Sequence, residues 1–361
     1  MKNFILLSAT LLLMLFANAQ IVNIPDANFK AALVNHSPVI DTSGDGEIQI
    51  AEAQATLLMY LSYKNISDLT GIEAFTSLDY LQCDENSLAT LDISNNTVLT
   101  NLNCDNNQLS SLDVSNNTAL TRLYCENNQL SSLDVGSNIA LTHLWCGGNS
   151  LTTLDVSNNT ALTELDCWDN NLTTIDISNN SVLERLCCWD NQLSTLDVSN
   201  NTALTSLFCE NNHLISLNVR NGNNVNFIGF YSYDNPNLYC IEVDDSTWST
   251  ANWTSIDSWA SFSNDCSNFV GTPNQLKTQE LKLAPNPFNE KLSVLLPDNT
   301  NADNIEIALY NVLGKQIKVS TEKANNEIII NGANLHSGIY FVELREGNRL
   351  IGKIKIVKEL Y

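Results

Sequence analysis

Basic residues are scarce in this chain. Of its 361 residues, 17 are Lys or Arg against 40 Asp or Glu, and the net charge is −23. A phosphate footprint needs clustered Lys and Arg, so nucleic-acid binding is excluded as a function class. Histidine is scarcer still, at four residues. The sequence contains no Gly-rich phosphate loop, no Gly-x-Ser-x-Gly and no His-x-x-x-His, so little acid–base or nucleophilic chemistry is available and no enzyme is expected. After residue 19 no stretch reaches the roughly 18 apolar residues of a membrane-spanning helix. Charged residues make up only 16% of the chain and apolar residues 43%, so it is not an acidic disordered tail either.

Two residue types are abundant instead. Asn supplies 52 positions and Leu 51, which suggests a repeat in which both hold fixed places. Seven cysteines fall at 83, 104, 125, 146, 167, 188 and 209, always 21 residues apart. Leu keeps the same period from Leu81 to Leu207 and from Leu88 to Leu214, and Asn keeps it from Asn86 to Asn212. One unit reads Leu102-x-Cys104-x-x-Asn107-x-Leu109. The alternation in Leu102-Asn103-Cys104 is that of a half-buried strand, with Cys acting as a small hydrophobe. Where the chain turns away from the strand, a buried Asn can bond the exposed backbone of adjacent coils. Leu112-x-Val114-x-x-Asn117 repeats the pattern within the unit, so each coil is expected to have two strand-like edges and no helix on its convex side.

This pattern resembles the leucine-rich repeat, with Cys in place of an inward Leu, over roughly residues 61–243. Its short nested form is similar to a bacterial 21-residue subclass. Seven coils about 4.8 Å apart imply a rod on the order of 30 Å, plus caps.

The ends carry different signals. Lys2, the apolar run at residues 4–16 and Ala17-Asn18-Ala19 fit an export signal that is cleaved before Gln20. Residues 1–266 hold 6 basic and 30 acidic side chains, whereas residues 267–361 hold 11 and 10, which marks two modules. The polar stretch 267–280, with Gly271 and Pro273, reads as a linker.

A solenoid needs its open ends covered. Residues 24–33 read as a short amphipathic helix with Pro25 at its start. Residues 41–52 resemble an EF-hand calcium loop, although Pro38 and the lack of a second loop favour a structural ion over a sensor. The resemblance gives Asp41, Ser43, Asp45, the Glu47 carbonyl, Gln49 through water and bidentate Glu52 as ligands of one Ca2+, with Gly46 at the sharp turn. The segment from Ile66 through Leu69, Gly71, Ile72 and Phe75 to Leu78 looks internalin-like. At the far end Cys240 and Cys266 flank Trp248, Trp253 and Trp259, and in an oxidising compartment they are expected to form a disulfide that closes a C-terminal cap. The seven ladder cysteines all point the same way, so a reduced buried stack is expected. Cys187, next to Cys188, is expected to point outward as a surface thiol.

Large aromatics at outward strand positions have no core role. Tyr124, Trp145, Trp168, Trp189 and Phe208 are expected to form one rigid patch flanked by carboxylates such as Glu126 and Asp166, as binding surfaces do. Asp92, Asp113, Asp134, Asp155, Asp176 and Asp197 form a second stripe, read as a solubilising edge.

Residues 281–361 alternate apolar and polar residues in short runs, as a small β-sandwich does. Pro285-Asn286-Pro287-Phe288, residues 310–315, residues 335–340 and the terminal residues 353–358 are similar to the C-terminal sorting domain of the type IX secretion system. That resemblance implies contact with the secretion machinery of a Gram-negative bacterium and release or attachment at the outer surface. The expected fold is thus mainly β: a leucine-rich repeat solenoid with a small helical N-terminal cap, then a small β-sandwich C-terminal domain. The expected boundaries are 1–19 signal peptide, 20–60 cap, 61–266 solenoid with its C-terminal cap, 267–280 linker and 281–361 sorting domain. The expected role is non-catalytic binding of a protein at the aromatic face, with glycan binding as the alternative.

Overall fold

A computed structural model describes residues 20–267, 282–296, 305–311, 315–324, 327–346 and 349–359. The expected signal peptide, and the expected linker after Ser267, lie outside these residues. The chain divides after Cys266 into two compact units, both mainly β.

The first unit is a solenoid of stacked coils. Each coil contributes a three-residue strand, among them Asn101–Asn103, Arg122–Tyr124, His143–Trp145 and Glu164–Asp166. Nine such strands, from Leu58–Tyr60 to Gly229–Tyr231, form one parallel sheet. The central residue of each strand, Leu in all but the first and last (Met59 and Phe230), pairs with the next, as Leu102 with Leu123 and Leu144 with Leu165, and points into the core. The Cys that follows is also fully buried in every repeat from Cys83 to Cys209, and all seven are free thiols. Burial pushes these thiols above their ordinary value, so they remain protonated, chemically quiet wall residues.

Asn closes each coil. Asn170 Nδ2 donates to the carbonyls of Cys146, Cys167 and Trp168 at 3.1, 3.2 and 3.0 Å, while its Oδ1 accepts from Leu151 N–H at 2.9 Å. The same four bonds recur at Asn107. A second ladder runs through the half-repeat, where Asn159 Nδ2 donates to Val135 O and Asn138 O at 3.0 and 2.9 Å.

The second edge of the coil differs from expectation. It becomes a sheet only at Thr195–Asp197, Ser216–Asn218, Cys240–Glu242 and Ser261–Ser263. There the coils come close enough for Val198 N–H to reach Asn218 O at 2.9 Å. Among the described residues, the coils carry short 3-10 turns at Ile72–Ala74 and Asn224–Asn226 and, in the C-terminal cap, one helix at Ser246–Asn252 capped by Asp245.

The N-terminal cap begins with the helix Ala27–Val34. Asp26, not Pro25, starts it, accepting from Asn28 and Phe29 N–H. The other oxygen of Asp26 accepts from Ser67 and Asp68 and ties the helix to the first coil. Phe29 and Leu33 are fully buried over that coil. At the other end a disulfide joins Cys240 to Cys266, and Trp253 stacks on Phe230 with 4.2 Å between ring centroids.

In the second unit two four-stranded antiparallel sheets share one core that includes Phe288, Leu292, Val294, Ile328, Ile330 and Val342. Asn286 Oδ1 accepts Val357 N–H at 2.9 Å, and Phe288 N–H bonds Val357 O, so this Pro-x-Pro-x stretch is fastened along the last strand, Arg349–Lys358.

Replacing Asn170 with Ala strands three carbonyls and an N–H where water has little access. The expected loss is about 1–3 kcal/mol, read as a lower midpoint of urea unfolding. Asp at the same site keeps the acceptor and loses the donor, so it is expected to remain well below the parent.

Candidate binding face

The outward side chains of the nine-stranded sheet fall in three columns. A regular coil fixes their spacing, so the sequence alone decides what each presents. The rings gather as pairs. Tyr124 and Trp145 tilt against each other at 4.6 Å, Trp168 and Trp189 stack at 4.8 Å with only 6° between planes, and Phe208 stacks on Tyr231 at 5.3 Å. All five expected aromatics are half-buried on this face.

The expected single patch is therefore divided. Between Trp145 and Phe208 in the central column lie Asp166 and Cys187, and both are buried. Arg185 closes over them. Its Nη1 bonds both oxygens of Asp166 at 2.7 and 2.6 Å, its Nη2 lies 3.0 Å from Cys187 Sγ, and its guanidinium sits 5.7 Å from the Phe208 ring centroid. Cys187 thus projects from the sheet but is covered, which corrects the expectation of a surface thiol. Burial, with the Asp166 charge beside it, pushes its thiol up to about 12.

Trp168 owes its position to a neighbour that has no side chain. A Cβ built on Gly147 would lie 2.4 Å from the indole, so the ring rests directly over the Gly147 backbone. From there the indole N–H reaches across two coils to Glu126 Oε1 at 2.9 Å. Burial raises the Glu126 carboxyl, and the Trp168 bond only partly offsets this. Burial likewise pushes Asp105 up to about 7, against the Glu126 N–H it accepts at 2.6 Å.

The sequence reading missed part of the face. Tyr60 and Tyr80 pair at 5.5 Å at one end, with His36 stacked on Tyr60. Tyr231 and Tyr233 extend the other end, each 39% exposed. Tyr231 pairs in register with Phe208, 23 residues earlier, so extrapolation by 21 lands on Gly229 instead.

The acidic edge stripe is built differently. Asp113 Oδ1 accepts Ser115 N–H at 2.9 Å, and Asp92, Asp134, Asp155, Asp176 and Asp197 repeat this bond two residues ahead. The Ser94 and Ser115 hydrogen bonds hold the carboxyls of Asp92 and Asp113 below their ordinary value.

In the cap loop, Asp41, Ser43, Asp45 and Gln49 converge. Ser43 Oγ lies 3.1 Å from Asp41 Oδ1 and 3.2 Å from Gln49 Oε1, and Gln49 Nε2 bonds Asp45 Oδ2 at 2.9 Å. Burial raises the Asp41 carboxyl, but the Gly46 and Gly44 N–H groups outweigh it and keep the group ionised. Glu47 pairs instead with Lys30 at 2.6 Å. The oxygens of Glu52 accept from Thr42 Oγ1, Ser43 N–H and Gln49 N–H and so cap the helix Ile50–Ala55. Among the described residues no three His, Cys, Asp or Glu side chains form a ready metal cage. The converging donors are nevertheless hard oxygens of the type calcium takes.

Residues 282–359 match the family described as secretion system C-terminal sorting domain. Residues 146–166 and 167–184 match the LVIVD repeat. No curated protein matches the chain. Among solved structures, an internalin (InlF) of Listeria monocytogenes is similar at 18% identity, with 69% of this chain and 80% of that one covered and a TM-score of 0.51. The functional domain of InlJ from Listeria monocytogenes, described as including a cysteine ladder, aligns at 23% identity over 94% of this chain and 98% of that one, with a TM-score of 0.41. The fold is a leucine-rich-repeat-like solenoid of stacked coils followed by antiparallel β-sheets.

Gly147→Ala tests how the face is built. The added methyl meets the Trp168 ring while the backbone of Gly147 needs no left-handed conformation. The expected result is an indole pushed off Glu126, seen as a shifted Trp fluorescence maximum, with a stability loss of about 1–3 kcal/mol.

Proposed function

We propose that this protein is exported to the cell exterior and there binds a partner protein, without catalysis, on the nine-stranded face of its solenoid. One observation carries the reading: three ring pairs, two on the strands and the Trp168–Trp189 pair just past them, gather along a sheet whose other side already fills the core. Aromatic pairs cost little conformational entropy to hold and supply large contact area, which is how a rigid binding surface works. The regular coil is the frame, and Tyr124, Trp145, Trp168, Trp189 and Phe208 are the contacts, with Glu126 positioning Trp168 and Asp166 positioning Arg185. The C-terminal unit serves as the export address, a reading supported by the sorting-domain match over residues 282–359. It is read as a type IX tail that engages the secretion machinery and leads to release or attachment at a Gram-negative surface.

The N-terminal cap holds one structural calcium ion in this reading. Asp41, Ser43, Asp45, the Glu47 carbonyl, Gln49 through water and Glu52 would hold it, and a bound cation would supply the positive charge that these carboxylates otherwise lack.

Two experiments test these readings. Trp168→Ala with Trp189→Ala is expected to abolish capture of surface proteins in a pull-down from bacterial and host cells while circular dichroism stays unchanged; undiminished capture refutes the face. Calcium chelation is expected to lower the melting temperature by several degrees, since a bound ion stabilises only the folded chain. An identical melting curve with and without chelator removes the ion from the cap.

A further inference from the structure

Ahead of the cap helix, residues 20–24 run as an extended strap that the cap loop and the first coil both hold. Val22 N–H donates to Ile48 O at 2.8 Å and Ile50 N–H donates to Gln20 O at 2.8 Å, so Ile21 bridges Gln49 in antiparallel fashion. These two bonds fasten the backbone on either side of Gln49. The Gln49 side chain accepts from Ser43 Oγ and donates to Asp45, and its N–H donates to Glu52. The strap therefore fixes the backbone that aims one member of the converging oxygen set.

On its other side the strap lies against the first coil. Gly71 takes a left-handed backbone at φ +108°, and a Cβ there would stand 2.8 Å from Asn23 O, 2.9 Å from Ile24 Cγ1 and 3.2 Å from Val22 Cγ1. Conformation and space both require glycine at this place. Val22 is buried, and Ile24 packs on the core. Just beyond the strap, Asp26 accepts from Ser67 and Asp68, and Asn28 Nδ2 donates to Asn65 O at 2.8 Å. Loop, strap and coil are thus joined by an unbroken series of contacts. An extended segment loses conformational freedom at every residue it orders, so it stays seated only while both of its walls are in place. The loop wall carries a conflict of its own, because Asp41 and Asp45 converge through Ser43 and Gln49 as like charges.

Resting on the reading of the cap loop as a calcium site, we propose that the strap couples that ion to the solenoid: calcium in the loop and closure of the strap over the first coil reinforce each other. A cation between the carboxylates holds residues 48–50 in the conformation with which the strap pairs. The seated strap in turn keeps Gln49 where the loop needs it, so residues 20–24 position the ligands without being ligands. Coupling of this kind is reciprocal: the factor by which the strap raises calcium affinity is the factor by which calcium favours the closed strap.

The test uses the chain from Gln20 to Tyr361 with calcium chloride as the probe, read by calorimetry and by amide hydrogen exchange. Val22→Pro removes the N–H that bonds Ile48 O. Gly71→Ala pushes the strap off from the coil side. Each is expected to weaken calcium binding by roughly tenfold, and calcium is expected to slow exchange of the Val22 and Ile50 amides in the parent protein by a similar factor. Gly71→Ala also strains its own backbone, so Val22→Pro carries the test if that variant does not fold. Asn170→Ala lowers stability well along the solenoid and is expected to leave calcium affinity unchanged; an equal loss there reduces the effect to general destabilisation and overturns the coupling. A parent protein that binds calcium, with variants that bind it as tightly and a Val22 amide indifferent to the ion, overturns the strap and leaves the ion standing. A parent protein that takes up no calcium overturns both.

Discussion

The solenoid depends on how its backbone polar groups are satisfied at the inward turn of every coil. A chain that leaves a strand and bends over a hydrophobic core exposes carbonyls to a region without water. Asn answers this with a side chain that donates and accepts across coils, as Asn170 does between Cys146, Cys167, Trp168 and Leu151. Gln is too long for the turn and Asp lacks the donor. The 21-residue spacing follows, because Asn must meet the same carbonyls of the coil before it. Cys at the neighbouring position is small enough to let successive coils stack, and full burial keeps its thiol protonated in a chain that elsewhere holds a disulfide.

A frame that rigid frees the outward columns. They bear none of the fold's demands and vary from coil to coil: Tyr124, Trp145, Asp166, Cys187 and Phe208 follow one another at equivalent places. Variation within one column is what reshapes a neighbour. Gly147 removes a side chain so that Trp168 can lie across it. Arg185 folds over Asp166 and turns what the alternation pattern marks as an exposed carboxylate into the buried half of a partly exposed ion pair. Removing one partner of such a pair costs more than the pair contributes, so it acts chiefly as a device for holding the face in one shape.

The periodic part of the molecule was legible in the sequence, as were the Cys240–Cys266 disulfide and the antiparallel C-terminal unit, and what was missed has separate causes. Column arithmetic finds every residue whose environment repeats: the ladder Asn, the core Leu and Cys, the edge Asp. It fails where the coil changes length. Tyr231 stands two residues beyond the 21-residue position, and Tyr60 pairs with Gln82 at a spacing of 22, so both ring contacts were invisible to extrapolation. It fails also where a long side chain crosses columns, as Arg185 does over Cys187, because a pattern assigns a direction to Cβ and not a destination to the end of the chain. Glu52 sits where two roles compete. A carboxylate three residues into a helix can cap the helix as readily as it can bind an ion, and the spacing is the same for both.

Charge completes the argument. The solenoid's carboxylates divide into two kinds that composition cannot separate. Those on the edge stripe accept a backbone N–H two residues on, and these bonds hold the carboxyls of Asp92, Asp113, Asp155 and Asp176 below their ordinary value, so their charge is cheap and serves solvation. Those on the face, Asp105, Glu126, Asp190 and Glu210, are raised by burial among rings and strands. Asp105 illustrates the sign: with its carboxyl up at about 7, ionisation in the folded chain is unfavourable, and the fold gains stability as pH falls from there toward the ordinary carboxylate range. A surface that keeps such groups gives up some of its own stability. The edge stripe demonstrates that the same fold can satisfy its carboxylates locally, so the cost on the face comes from the side chains packed around these groups and not from the coil itself.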